Sequence, residues 1–175
     1  VPARPPAGTI RKPIARPQYR PGVRIGRPAL AKCATALRVP PGLHGNMAAP
    51  TAEGNGNRFI AIAVETSEPI PFADPGPACK LVSYTGPGVR GQVEVVDSPH
   101  IDGARVLGTN RVVQSAMPGG PPRVGELFNY VASFDTFLVM VTANPLVVPD
   151  KPPAQVDVQK DKDLLTAAVA AVRGN

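Results

Sequence analysis

No acidic side chain occurs before Glu53, yet nine Arg or Lys fall within residues 1–38. That absence divides the chain into two electrostatic parts. From residue 39 onward ten basic and thirteen acidic side chains sum to about −3, so the overall +6 comes from the leading segment. The pI near 9.7 is therefore a property of the leader and not of the body. Tryptophan is missing and aromatics make up only 5%. The core must then be built from Val, Ile, Leu and Ala, with Phe59, Phe128, Phe134 and Phe137 as the larger fillers. No apolar run approaches the 18 or more residues of a membrane helix. With two His, two Cys and no CxxC, a zinc set is excluded. The glycine clusters GNGN and PGGPP match neither GxxxxGK(S/T) nor GxGxxG, which excludes a recognised phosphate cradle.

What is present begins with proline. Nine prolines fall within residues 1–41. Their spacing stops a helix from propagating, so residues 1–27 are expected as polyproline II or coil. Pro17 and Pro21 break any helical face that Arg16, Arg20 and Arg24 would share at i, i+4. The expected organisation is thus an extended basic arm over residues 1–27 and a folded domain over residues 28–175, the size of one ordinary domain. No signal peptide is visible. The chain starts at Val, which leaves open an upstream segment carrying a targeting signal.

Cys33 and Cys79 are 46 positions apart. A disulfide closing that loop would contribute roughly 3–4 kcal/mol on the chain-entropy model. Such a pair fits an oxidising compartment; two unpaired buried thiols are the alternative.

Along the body, Pro28 is placed to open a short helix through Leu37, with Leu30, Cys33, Ala34 and Leu37 on one face. Residues 44–57 read as a loop by composition. Strands are expected over 58–67, 79–85, 92–96, 105–115, 127–133 and 136–143. A bulge is expected at Gly108 and a hairpin turn at Phe134-Asp135. Pro87–Gly91 and Met117–Gly125 read as turn and loop. A closing helix is expected over 158–172, capped by Asp157, with Leu165, Ala168, Val169 and Val172 as its apolar stripe and Gly174 at its end. Connections this short rule out βαβ crossovers. The expected fold is α+β: one antiparallel sheet of about six strands with the N- and C-terminal helices packed on one face.

Several segments carry a resemblance: CATALRVPPGL, RFIAIAVE, CKLVSY, GQVEVVDSPHIDGA, YVASFDTFLVMVTANPLVV and DLLTAAVAAVRGN. Together, over about residues 28–175, they resemble the DUF5642 type of mycobacterial and actinobacterial exported proteins and lipoproteins of unknown function. The resemblance implies a cell-envelope location, a cystine between Cys33 and Cys79, and no catalytic residues to carry over. The cationic arm lies outside it, and no lipobox cysteine is present in the chain.

Candidate chemistry is sparse. Ser98, His100 and Asp102 alternate on extended chain, but neighbours on one strand lie roughly 6–7 Å apart and point in parallel. A triad needs convergence, and Pro99 and Gly103 mark a turn instead. His44 is expected in solvent. Among Glu65, Glu68, Asp74, Asp97 and Asp102 no spacing singles out a catalytic pair. No metal or cofactor is implied.

The arm stands out. Arg4, Arg11, Lys12, Arg16, Arg20, Arg24 and Arg27 form an expected contact for an anionic membrane or wall surface, or for an acidic protein face. Nucleic acid fits less well, because Tyr19 is the arm's only aromatic and the body is acidic. A small apolar cleft between sheet and helices would suit a lipid, although a filled core is the simpler expectation. The preferred expectation is a non-enzymatic, extracytoplasmic binding or scaffolding protein. The alternatives are an assembly subunit whose arm wraps its neighbours, and an envelope hydrolase using carboxylates or His100.

Overall fold

The computed structural model describes Cys33, residues 45–70 and residues 73–174. Eight strands form one antiparallel sheet: β1 (Gly45–Ala48), β2 (Thr51–Gly54), β3 (Asn57–Thr66), β4 (Leu81–Gly86), β5 (Val89–Val96), β6 (Arg105–Met117), β7 (Gly120–Phe134) and β8 (Phe137–Pro145). The spatial order is β1-β3-β8-β7-β6-β5-β4, with β2 also on β3. One helix, α1 (Val158–Arg173), closes the described chain.

The α+β class and the antiparallel pairing agree with the sequence, but the strand count of six is corrected to eight. Residues 45–54, expected as loop, pair along the outer edge of β3 in a single register that Ala49-Pro50 interrupts. Asn55-Gly56 turns the chain into β3, both residues at positive φ (52° and 76°). That is the Asn-Gly signal of a two-residue hairpin, and it overrides the loop-like composition. The predicted loop at 117–125 is mostly strand, because β7 begins at Gly120. Pro121 and Pro122 fit there since the β6–β7 ladder is irregular between Ser115 and Met117. The turn expected at Phe134-Asp135 is Asp135-Thr136, with Phe134 and Phe137 paired across it. Of the two predicted helices, the first falls outside the described residues apart from Cys33, as does the boundary between arm and body.

The second helix forms as expected. Asp157 accepts a hydrogen bond from Lys160 N at 3.0 Å, and Gly174 takes the left-handed cap. The helix lies on the face of β3, β8 and β7 that carries Ala61, Ala63, Tyr130, Ala132, Val139 and Val141. Leu165 and Val169 are its buried anchors. Full burial of each contributes about 1.5–3 kcal/mol. On the opposite face the long link from β3 to β4 places Ile70 against Val131 and Leu138.

The two ends of the sheet differ in depth. At one end β8 stops at Pro145, close to Phe128 of β7. The β6–β7 hairpin continues past it by about six residues, roughly 20 Å, and the β4–β5 hairpin by about four, roughly 13 Å. Nearer the centre, Gly108 is not a bulge; it pairs in register with Tyr130. A Cβ there would stand 2.5 Å from Tyr130 Cε1 and 2.9 Å from Ser98 Oγ. The glycine lets the Tyr130 ring lie flat across β6. Gly108→Ala is expected to cost about 1–3 kcal/mol by overpacking, read as a lower urea midpoint with the m-value unchanged.

Candidate functional site

Asp161, Leu165 and Val169 share the sheet-facing stripe of α1 at i, i+4, i+8. Asp161 is 0% exposed. Its place in the first turns of the helix favours a carboxylate, yet both its oxygens are buried with no hydrogen-bond partner among the described residues. Tyr130, also 0% exposed, lies beneath, and its hydroxyl is likewise buried and unpartnered among them. Lys162 reaches over this pair. Its Nζ donates to Asp97 Oδ2 at 2.8 Å and stands 6.0 Å from the Tyr130 ring centroid.

Burial dominates the electrostatics. It pushes the Asp161 carboxyl up to about 7. Burial, then the charges of Asp161 and Asp97, push the Tyr130 hydroxyl up to about 12. The exposed Asp97 shifts the other way, lowered by the hydrogen bond from Lys162 and then by its charge. The arrangement can therefore hold a proton on Asp161 near neutral pH. Sequence reasoning does not single out this residue. Its only signal is register, because Asp161 stands one turn before Leu165 on a stripe otherwise apolar.

A groove of about 550 Å³ opens at the sheet end where β5 turns into β6 and β7 into β8. Its lining includes Ile70, His100, Asp102, Arg105 and Phe134. Here the sequence expectation is corrected. His100 Nε2 and Asp102 Oδ1 converge to 2.9 Å, because the turn at Ile101–Gly103 folds the two side chains together. Both remain in solvent, with side chains 90% and 98% exposed. Ser98 does not join them: its Oγ donates to Val96 O at 3.4 Å and lies beside the Gly108 position.

The other predicted carboxylates are scattered. Glu65 lies on β3, Asp74 Oδ1 accepts from Gly76 N at 2.8 Å within a turn, and Asp97 is engaged by Lys162. Among the described residues no group of three His, Cys, Asp or Glu is placed to hold a metal. None of their helices is long and apolar enough to cross a membrane. Cys33 and Cys79 are joined in a disulfide with a Cα–Cα distance of 5.5 Å. Cys79 is buried in a short 3-10 turn, Pro77–Cys79, directly before β4. The seven predicted basic contacts of the arm, and His44, lie outside the described residues.

Comparison with known proteins places this geometry. Residues 7–173 match the family described as a domain of unknown function, DUF5642. An X-ray structure of an uncharacterized protein from Mycobacterium smegmatis is 57% identical, with a TM-score of 0.74 over 90% of this chain and 80% of that one. No curated protein matches. The chain belongs to the DUF5642 family. The match starts at residue 7, so it takes in most of the Pro- and Arg-rich segment as well as the body.

Proposed function

We propose that this DUF5642 member is a non-enzymatic protein of the cell envelope that docks on an anionic surface through its acid-free leader. The observation that carries the reading is the Cys33–Cys79 disulfide. A disulfide of this kind suggests an oxidising, extracytoplasmic setting. It also ties the end of a segment with nine basic and no acidic residues covalently to the start of β4.

Two further points support docking over hydrolysis. The His100–Asp102 pair stands in solvent with the Ser98 hydroxyl turned to the backbone. The proton-holding Asp161 is sealed beneath α1, out of reach of a substrate. Each Lys or Arg close to an anionic bilayer contributes about 1 kcal/mol, so the seven bases of residues 1–27 are enough to hold the protein at a surface.

Co-sedimentation tests this. The full chain is expected to pellet with phosphatidylglycerol vesicles at low salt and to be released at high salt, as screening requires. Replacing Arg4, Arg11, Lys12, Arg16, Arg20, Arg24 and Arg27 with Gln is expected to abolish most of the binding. Equal pelleting of that variant would show that the leader does not dock the protein.

A further inference from the structure

The leader is not the only cationic feature. The body as a whole is acidic, but its charges are segregated. Residues 84–91 and 113–125 form the parts of the β4–β5 and β6–β7 hairpins that run past β8. They contain Arg90 and Arg123 and not one of the body's thirteen acids. The hairpin tips are neighbours, since Ala116 N donates to Gly88 O at 2.7 Å and Arg90 Nε donates to Gln114 Oε1 at 2.5 Å. Between them lies a largely apolar cleft of about 330 Å³.

The tips also expose apolar side chains. Met117 is 38% and Val124 41% exposed. The register puts Arg123 on the sheet face away from α1, whereas Arg90 and Val124 lie on the α1 side. Arg123 is exposed and has no ion-pair partner among the described residues. An apolar tip with cationic side chains on both faces behind it suits one kind of surface: a bilayer with anionic headgroups. The apolar residues enter the headgroup boundary and the guanidiniums meet phosphate.

We propose that these paired hairpin tips are a second, folded membrane contact, seating the sheet end-on against an anionic lipid surface. This rests on the docking function proposed above and adds the part of the body that faces the lipid. The projection of the tips beyond β8 allows such contact without the rest of the sheet touching the bilayer.

The test uses the full chain and its lack of tryptophan. Met117→Trp, with Val124→Trp as a second probe, places a lone indole at the tip, and Asp102→Trp places one at the opposite end. With vesicles of phosphatidylglycerol and phosphatidylcholine, the tip probes are expected to shift to the blue and to be quenched by brominated acyl chains. The Asp102 probe is expected to do neither. Arg90→Gln with Arg123→Gln is expected to lower partition by roughly 25-fold, at about fivefold per Arg lost.

Binding with water-like emission from both tip probes would overturn the hairpin contact and leave docking by the leader standing. Failure of the full chain to bind vesicles at all would overturn both. A blue shift that appears without vesicles, together with a dimer on a sizing column, would mean that a second copy covers the tips, and would also overturn the proposal.

Discussion

Replacing Asp161 with Asn is expected to remove most of the pH dependence of folding between pH 4 and 7.5 and to stabilise the protein above neutrality. The sign follows from the proton. The folded carboxyl titrates near 7, whereas an unfolded Asp titrates near 3.9. In that interval the native state holds a proton that the unfolded state releases, so stability falls as pH rises. The loss is complete above about pH 7. A gap of about three pH units corresponds to about 4 kcal/mol, at 1.36 kcal/mol per unit.

Burial sets this value. Tyr130 on β7 is neutral in the range and offers no charge. Lys162 is committed to Asp97. Asn fills nearly the same space without a charge to desolvate. Urea unfolding of both proteins at pH 5 and pH 8 checks the expectation. Parallel pH profiles for wild type and Asp161→Asn would show that the buried carboxyl does not titrate in this range.

The second large effect is loss of the disulfide. Cys33→Ser with Cys79→Ser opens a loop of 46 residues. The chain-entropy model gives a cost of about 4 kcal/mol. For a body of this size that corresponds to a fall in Tm of roughly 10 °C. Reduction of the wild type should reproduce the shift. An unchanged Tm would mean that the bond leaves the unfolded chain almost unconstrained.

The legibility of this chain follows the range of the interactions. α1 is readable to within a residue because its cap, stripe and terminal glycine are local. The run over 58–67 is readable as a strand for the same reason, since its apolar, β-branched composition is local. The edge strands β1 and β2 escape a sequence reading because exposed residues on an outer edge carry no alternation. Their pairing depends on β3 being available, which is tertiary information. Pro121 and Pro122 hide the start of β7, since a broken ladder that tolerates proline cannot be seen from one strand.

The site is harder to read. An extended chain would keep Ser98, His100 and Asp102 apart, whereas the turn at Ile101–Gly103 brings two of them together. Asp161 sits in sequence among solvated acids of the helix. Only the packing of α1 on Tyr130 separates it from Asp157 and Asp163. Gly108 reads as a bulge because nothing local reveals that an aromatic ring from the next strand needs its space.

The central claim, an envelope protein with a leader stapled to an oxidised body, is tested most directly by the thiols in living cells. Cells producing the full chain are quenched in acid, free thiols are blocked with maleimide, and Cys33 and Cys79 are mapped by mass spectrometry in envelope and cytosolic fractions. The account predicts the protein in the envelope fraction, with the two cysteines recovered as one linked peptide and no maleimide on either. A cytosolic protein carrying maleimide on both Cys33 and Cys79 would contradict it.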